Sequence, residues 1–264
     1  MADEPAILFF AGTAGSGKTS LVRAFHEWTK QSGLDAARVN LDPGSEDGPN
    51  EWDVDIREWV RLADVMDEYG LGPNGAQVAS ADLIALKVFE VKQAIAELKG
   101  DYVLVDTPGQ VELFAFRESS RAIVEALGGD RALVAFLFDP TLARTASGFV
   151  SILLLSANVE FRFRLPMLNV LSKSDLLTPE QLEEIQRWGS EPDRLEEAVR
   201  SEYPTPEVQL SAEVFRAVAT AGSMGTVIPT SSEQHQGLES LYRAAQQAFA
   251  GGEDLEPSHA PPEG

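Results

Sequence analysis

The sequence predicts a three-layer α/β fold built on a parallel sheet, with a helical insertion. Three observations lead there. Strand-like runs alternate with helical stretches along the chain. The runs are apolar throughout, not on every second residue, which suits strands covered on both faces. The first run leads straight into a glycine-rich loop of the kind that cradles phosphate.

The strands are read at 6–12 (AILFFAG), 36–42 (AARVNLD), 101–106 (DYVLVD), 131–139 (RALVAFLFD), 165–173 (LPMLNVLSK) and 225–231 (GTVIPTS). Helices are expected between them, at 18–32, 55–69, 77–99, 111–127, 144–162, 178–187, 193–221 and 235–250. The stretch 178–221 is rich in acids and has no strand pattern, so it reads as a helical insertion in one domain spanning 1–250. The tail 251–264 (GGEDLEPSHAPPEG) has the composition of a disordered acidic segment.

Composition narrows the function. The 264 residues include no cysteine, which removes disulfides, thiolate metal sites and cysteine nucleophiles. His26, His235 and His259 lie far apart without ligand spacing. The most apolar stretch, SGFVSILLLSANVEF, runs into Glu160, Arg162 and Arg164, so no membrane span is expected. The N-terminus lacks the basic region of a signal peptide, which makes a cytoplasmic protein the expectation. Forty-two acids against 21 bases give a net charge of −21, which repels nucleic acid and anionic membranes. The acids are dispersed, and only six of the bases are lysine. That pattern favours a surface adapted to the high-salt cytoplasm of a halophile over a docking face for a basic partner.

The chemistry begins at Gly12-Thr13-Ala14-Gly15-Ser16-Gly17-Lys18-Thr19, with Ser20 following. The glycines let the backbone wrap phosphate with its N–H groups pointing inward, and the helix that opens at Lys18 adds its positive end. Lys18 places a cation at the β- and γ-phosphates, and the Thr19 hydroxyl is a ligand for Mg²⁺. This marks a P-loop NTPase. Asp106, at the end of the third strand, is where a carboxylate that organises Mg²⁺ belongs. Gly109 then offers a backbone N–H to the γ-phosphate, and Gln110 and Glu112 follow within reach of an attacking water. Asp42, at the end of the second strand, is a further candidate to hold a metal-bound water or orient the nucleophile.

Base choice falls to later loops. Ser172, Lys173 and Asp175 follow the fifth strand. The Asp175 carboxylate can accept from guanine N1–H and the exocyclic amine, a donor pair that adenine lacks. The Lys173 stem can lie along the base, and Ser231 and Ser232 stand where a backbone N–H would meet guanine O6.

With these residues in view, the chain resembles a GPN-loop GTPase of the archaeal kind. The resemblance rests on GTAGSGKTS, NLDPG, DVDIREWV, EYGLGPNGA, DTPGQVELF and LSKSD, in that order, and runs from the P-loop to about residue 250. It implies a Mg²⁺-dependent GTPase working as a homodimer with facing nucleotide sites. It also implies that the asparagine of Gly-Pro-Asn reaches the partner's site, and it loosely implies an RNA polymerase client. The chain departs from the family at Ser172, where asparagine is usual, which weakens the expected brace between this loop and the P-loop. The tripeptide occurs twice. Asn50 sits among Glu46, Asp47 and Glu51, whose charges oppose phosphate, whereas no acid lies between Glu68 and Asp82 around Asn74. Asn74 is therefore taken as the working copy, on an uncharged projection between two helices, the second starting after Ala76.

The function expected is hydrolysis of GTP to GDP and phosphate, with a nucleotide-controlled switch or assembly factor as its purpose. The alternative is a P-loop kinase acting on a small molecule or a polynucleotide end. Asp175→Asn is predicted to move preference from GTP toward XTP. Competition binding with the two nucleotides checks it, and an unchanged preference would reject the role given to Asp175.

Overall fold

The computed structural model describes residues 5–48, 50–98, 100–111, 115–128, 131–202, 215 and 226–249. Seven strands form one sheet in the order β3-β2-β4-β1-β5-β6-β7, every pair parallel. They are β1 (Ala6–Gly12), β2 (Ala36–Asn40), β3 (Val54–Asp55), β4 (Tyr102–Asp106), β5 (Ala132–Phe138), β6 (Met167–Leu171) and β7 (Ile228–Pro229). The helices are α1 (Lys18–Gln31), α2 (Leu62–Tyr69), α3 (Pro73–Leu86), α4 (Val88–Ala96), α5 (Glu118–Gly128) and α6 (Pro140–Ala143). After them come α7 (Ala146–Phe163), α8 (Pro179–Ser190), α9 (Pro192–Glu202) and α10 (Leu238–Phe249).

The pleat of β1 explains the three layers. Ile7, Phe9 and Ala11 point into one core with the apolar faces of α3, α4, α5 and α7. Ala6, Leu8 and Phe10 point into a second core with Leu21, Val22 and Phe25 of α1 and Leu238 and Leu241 of α10. Both faces of the strand are thus covered, which requires an unbroken apolar run. α7 is the most hydrophobic helix, and its Phe149, Val150, Ile152, Leu153, Val159 and Phe163 are buried in the first core.

Register sets up the site. Asn40 pairs with Asp106 and with Asp55, and Phe10 pairs with Asp106, so the tips of β1, β2, β3 and β4 finish along one margin of the sheet. β4 and β5 flank β1: the crossover from β1 runs to β2 on one side, whereas the one from β4 passes β1 to β5 on the other, and this reversal opens a crevice at the carboxyl end of β1.

Several expected elements are corrected. The segment 55–69 is not one helix: Val54–Asp55 pairs with β2, a 3₁₀ turn follows at Ile56–Glu58, and α2 starts only at Leu62. The Asp55 side chain accepts from Arg57 N–H, closing the turn and breaking the helical pattern. The helix expected at 77–99 starts at Pro73 and is interrupted at Lys87. Pro73 suits the first helical position because its missing N–H would have no partner there. The Gly-Pro-Asn copy is therefore the opening turn of α3, not a projection ahead of it. The helix expected at 144–162 is α7, capped by the Thr145 hydroxyl, and the short α6 precedes it at the end of β5. The strand expected at 225–231 shortens to two residues. The tail 251–264 and much of the expected helix 193–221 lie outside the described residues.

The described part of the insertion, α8 and α9, is fastened to the sheet layer. Trp188 packs on Phe149 with ring centroids 5.9 Å apart. Glu202, at the end of α9, accepts from the N–H groups of Ala146 and of Ser147 (3.0 Å), the first turn of α7. An anion at a helix N-terminus gains from both the free donors and the dipole. Glu202→Ala is predicted to lower stability by about 1–2 kcal/mol, with Glu202→Gln losing less, and urea unfolding of the three proteins measures it.

Candidate functional site

The loop from Gly12 to Lys18 wraps around the carboxyl end of β1. Gly17 caps α1 with φ at 91° and Gly15 sits at 74°, left-handed values that a side chain would strain. Lys18 is buried, and its Nζ donates to the carbonyls of Gly12 (3.0 Å), Thr13 (3.0 Å) and Gly109 (2.9 Å). The last contact ties the P-loop to the loop after β4, 91 residues away in sequence.

Thr19 Oγ1 donates to Asp106 Oδ2 at 2.6 Å. Asp106 is 2% exposed, and its Oδ1 is buried with no hydrogen-bond partner. Burial pushes its carboxyl up to about 7, against the opposing pull of Thr19 and Lys18, and the nearby Asp42 and Asp47 add to the rise. A buried carboxylate oxygen without a proton donor, beside a threonine hydroxyl, fits a hard divalent cation that takes oxygen ligands.

Asp42 also carries a raised pKa, chiefly through burial. Its Oδ1 accepts from Gly44 N–H (2.8 Å) and its Oδ2 from Gly109 N–H (3.0 Å). The Gly109 N–H expected to face the γ-phosphate thus donates to Asp42 in this structure. Gly109 is clasped at both polar atoms, its carbonyl by Lys18 and its N–H by Asp42. Gln110 is half-buried next to it; Glu112 lies outside the described residues.

The residues that fix Asp42 were not picked out as site residues. Asn40, fully buried, accepts from Asp42 N–H (2.8 Å) and donates to Asp42 O (3.2 Å) and Asp55 Oδ1 (2.9 Å). Arg57 forks onto Asp55 and donates onward to the carbonyls of Ser45 (3.0 Å) and Asp47 (2.8 Å). The motif DVDIREWV is thus the clamp on the loop that follows Asp42. Only its i, i+2 spacing of Asp55 and Arg57 could have hinted at this.

On the base side, the Ser172 hydroxyl donates to Ser16 O of the P-loop at 2.7 Å, so the shorter residue does brace the two loops. Lys173 has a left-handed backbone (φ 49°), and its Nζ meets Gly15 O and Asp139 Oδ2 (2.8 Å). Burial would raise the Asp139 carboxyl, but hydrogen bonds from Lys173 and Thr141 outweigh it and hold it below the usual range. Ser174 N–H donates to Thr230 O at 3.0 Å, which brings the 172–175 loop, with a half-buried Asp175, beside the buried Ser231 and half-buried Ser232. Of the P-loop residues, Ser16 is buried, Thr13 half-buried, and Ala14 and Ser20 exposed.

The two tripeptides are placed apart. Asn74 is exposed at the second position of α3. Asn50, with φ at 67°, lines a cavity of about 630 Å³ between the 43–52 loop and α2, shared with Pro43, Arg57, Leu62 and Met66. Two of the acids near Asn50 are engaged: Arg23 pairs with Asp47 and with Glu51 (2.6 Å). Arg117 and Arg121, which follow the Gly109 loop, pair with Asp82 and with Glu125 (2.7 Å).

For Asp106, the folded pKa of about 7 lies above the ordinary 3.8, so the folded state binds this proton more tightly. Its stabilising contribution is full below about pH 4 and is lost as pH rises through 7, by at most about 4 kcal/mol. Asp106→Asn is accordingly predicted to melt higher than the unaltered protein at pH 8 without nucleotide, with the gap narrowing toward pH 5. Calorimetry at both pH values checks it, and a lower melting point at pH 8 would contradict it.

Comparison with known proteins accords with this geometry. A family model described as "Conserved hypothetical ATP binding protein" matches residues 10–251. The chain is 32% identical over 259 residues to GPN-loop GTPase PAB0955 of Pyrococcus abyssi, covering 94% of this chain and 99% of that protein. It is 28% identical over 243 residues to GPN-loop GTPase 1 of Schizosaccharomyces pombe, covering 91% of this chain and 62% of the relative. It is 36% identical over 168 residues to GPN-loop GTPase 2 of Xenopus tropicalis, covering 63% of this chain and 55% of the relative. The crystal structure of the Pyrococcus abyssi protein, a GTPase in apo form, superposes with a TM-score of 0.82 at 30% identity, over 92% of this chain and 97% of that one. A P-loop joined through Lys18 to the loop after β4, on a seven-stranded parallel sheet shared with that structure, identifies the chain as a P-loop GTPase of the GPN-loop GTPase family.

Proposed function

We propose that this chain binds GTP with Mg²⁺ and hydrolyses it to GDP and phosphate, as a homodimer whose state follows the nucleotide, serving as a switch or assembly factor. The observation that carries the reading is the double clasp on Gly109. One glycine joins the P-loop lysine to the carboxylate that follows β2, so a group entering beside Lys18 meets both.

Thr19 and Asp106 are the residues fit to hold Mg²⁺, with Asp42 beside them. The ion, when bound, supplies neutralisation of charge on the β- and γ-phosphates. Lys18 and the P-loop N–H groups share that task and align the triphosphate. Asp42 and Gln110 orient a water, and Glu112 is assigned to the same task from sequence. The water oxygen bonds to the γ-phosphorus as the bond to the β–γ bridging oxygen breaks. GDP leaves with that oxygen and the water proton passes to phosphate. Most of the acceleration comes from positioning and preset charge. Asp175 reads guanine, with Lys173 along the base.

Asn74 stands exposed on the first turn of a helix, where its carboxamide can serve a second copy of the chain without adding charge. Asn74→Ala is predicted to lower GTP turnover about 10- to 100-fold with GTP affinity nearly unchanged, while Asn50→Ala alters neither. Phosphate release without any acceptor, measured for each variant and for a mixture of Lys18→Ala with Asn74→Ala, tests the reading. Recovered activity in the mixture supports action across a dimer. An acceptor requirement would instead make the protein a kinase.

A further inference from the structure

Asp139 closes β5 and was not singled out by the sequence. It is 8% exposed and uses both carboxylate oxygens: Oδ1 accepts from Thr141 N–H (2.7 Å) at the start of α6, and Oδ2 accepts from Lys173 Nζ (2.8 Å). The same ammonium meets Gly15 O of the P-loop. The Lys173 stem therefore runs from the tip of β6 back across the P-loop. Its Cε lies 3.5 Å from the point where a Cβ on Gly17 would stand, so the stem rests on that glycine. The left-handed backbone of Lys173, held by Ser174 N–H on Thr230 O, aims the side chain along this path. One flank of the stem lies against the P-loop, and the side chain keeps 37% of its surface exposed.

Two lysines in one site thus have separate duties. Lys18 gathers carbonyls inside the cradle. Lys173 has its charge answered by Asp139 and Gly15, so what it offers outward is methylene surface, and a flat ring can pack on that surface if the stem is held still. A lysine stem left untethered would lose several rotatable bonds of freedom each time a base settled on it.

We propose that Asp139 is a positioning residue for base recognition, holding the Lys173 stem as a fixed platform beside the P-loop on which the guanine ring is seated. This inference rests on the guanine-nucleotide reading above. Asp139 touches neither base nor phosphate. It acts through Lys173, and binding that depends on phosphate alone should not need it.

The test is calorimetric titration of GDP and of inorganic tripolyphosphate into the full chain and its Asp139→Asn, Asp139→Ala, Lys173→Met and Asp139→Ala/Lys173→Met variants. Asparagine is neutral and has one oxygen where aspartate uses two, so Asp139→Asn removes the ion pair to Lys173 and, with its oxygen kept on Thr141 N–H, turns an NH₂ donor toward the ammonium. The expected result is GDP binding about tenfold weaker in Asp139→Asn, with tripolyphosphate binding changed less than about twofold. The double variant should bind GDP no more weakly than Lys173→Met alone, because the aspartate has nothing left to hold. Equal losses for GDP and tripolyphosphate would overturn the platform and make Asp139 a general structural residue, as would losses that add in the double variant. Should Asp139→Ala fail to fold, Asp139→Asn and Lys173→Met still decide. GDP binding that ignores Asp139→Asn refutes the platform alone, whereas an unaltered chain that binds tripolyphosphate but shows no preference for GDP over ADP refutes the guanine reading and the platform with it.

Discussion

A buried ammonium sets the terms for this site. Lys18 is 6% exposed, and a cation that far from water is tolerated only where oxygen surrounds it. It gathers carbonyls from two loops that are distant in sequence, and this fixes where the backbone after β4 must run. Asp106 and Asp42 add acidic groups around the same point, each disfavoured as an anion chiefly by burial. The cluster holds more ionisable groups than a core chosen for stability would keep, which is the usual compromise at a site built for charged ligands.

That compromise rests on a frame that does not yield. Parallel pairing in register carries Asn40, Asp55 and Asp106 to one margin, and layers on both faces hold the strands there. Around the margin, side chains bind loops to one another: Asn40 with Asp55 and Arg57 around Asp42, Ser172 with the P-loop, and Lys173 with Asp139. The insertion joins the same frame through Trp188 and Glu202, so its described helices are continuous with the layer that α7 belongs to.

What was legible in the sequence was local. Apolar runs marked the five longer strands because burial on both faces leaves few polar positions to confuse the pattern, fewest in β1, β4 and β5. The P-loop was legible because its glycines, lysine and threonine act within one turn of chain. The two-residue β3 was not, since Val54–Asp55 carries no periodicity and exists only because β2 lies beside it, while β7 was read but too long. Nor was the tether of Lys173 to Asp139, which joins residues 34 apart, or the cap that Glu202 places on α7 from 55 residues away. Doubt about Ser172 arose from side-chain length alone. The backbone of the P-loop comes close enough for a hydroxyl to reach it, and only a three-dimensional structure carries that distance.

Among the described residues, both outer strands, β3 and β7, contain just two residues. Most of the hydrogen-bonding capacity of the sheet is consumed by its interior pairs, and each lateral rim exposes too little ribbon to template an added strand. Such short edges among the described residues disfavour strand exchange and edge-to-edge polymerisation, a useful safeguard for a sheet as hydrophobic as this one. Any contact between copies of the chain would fall to helices and connecting loops, surfaces that can part without unravelling the sheet.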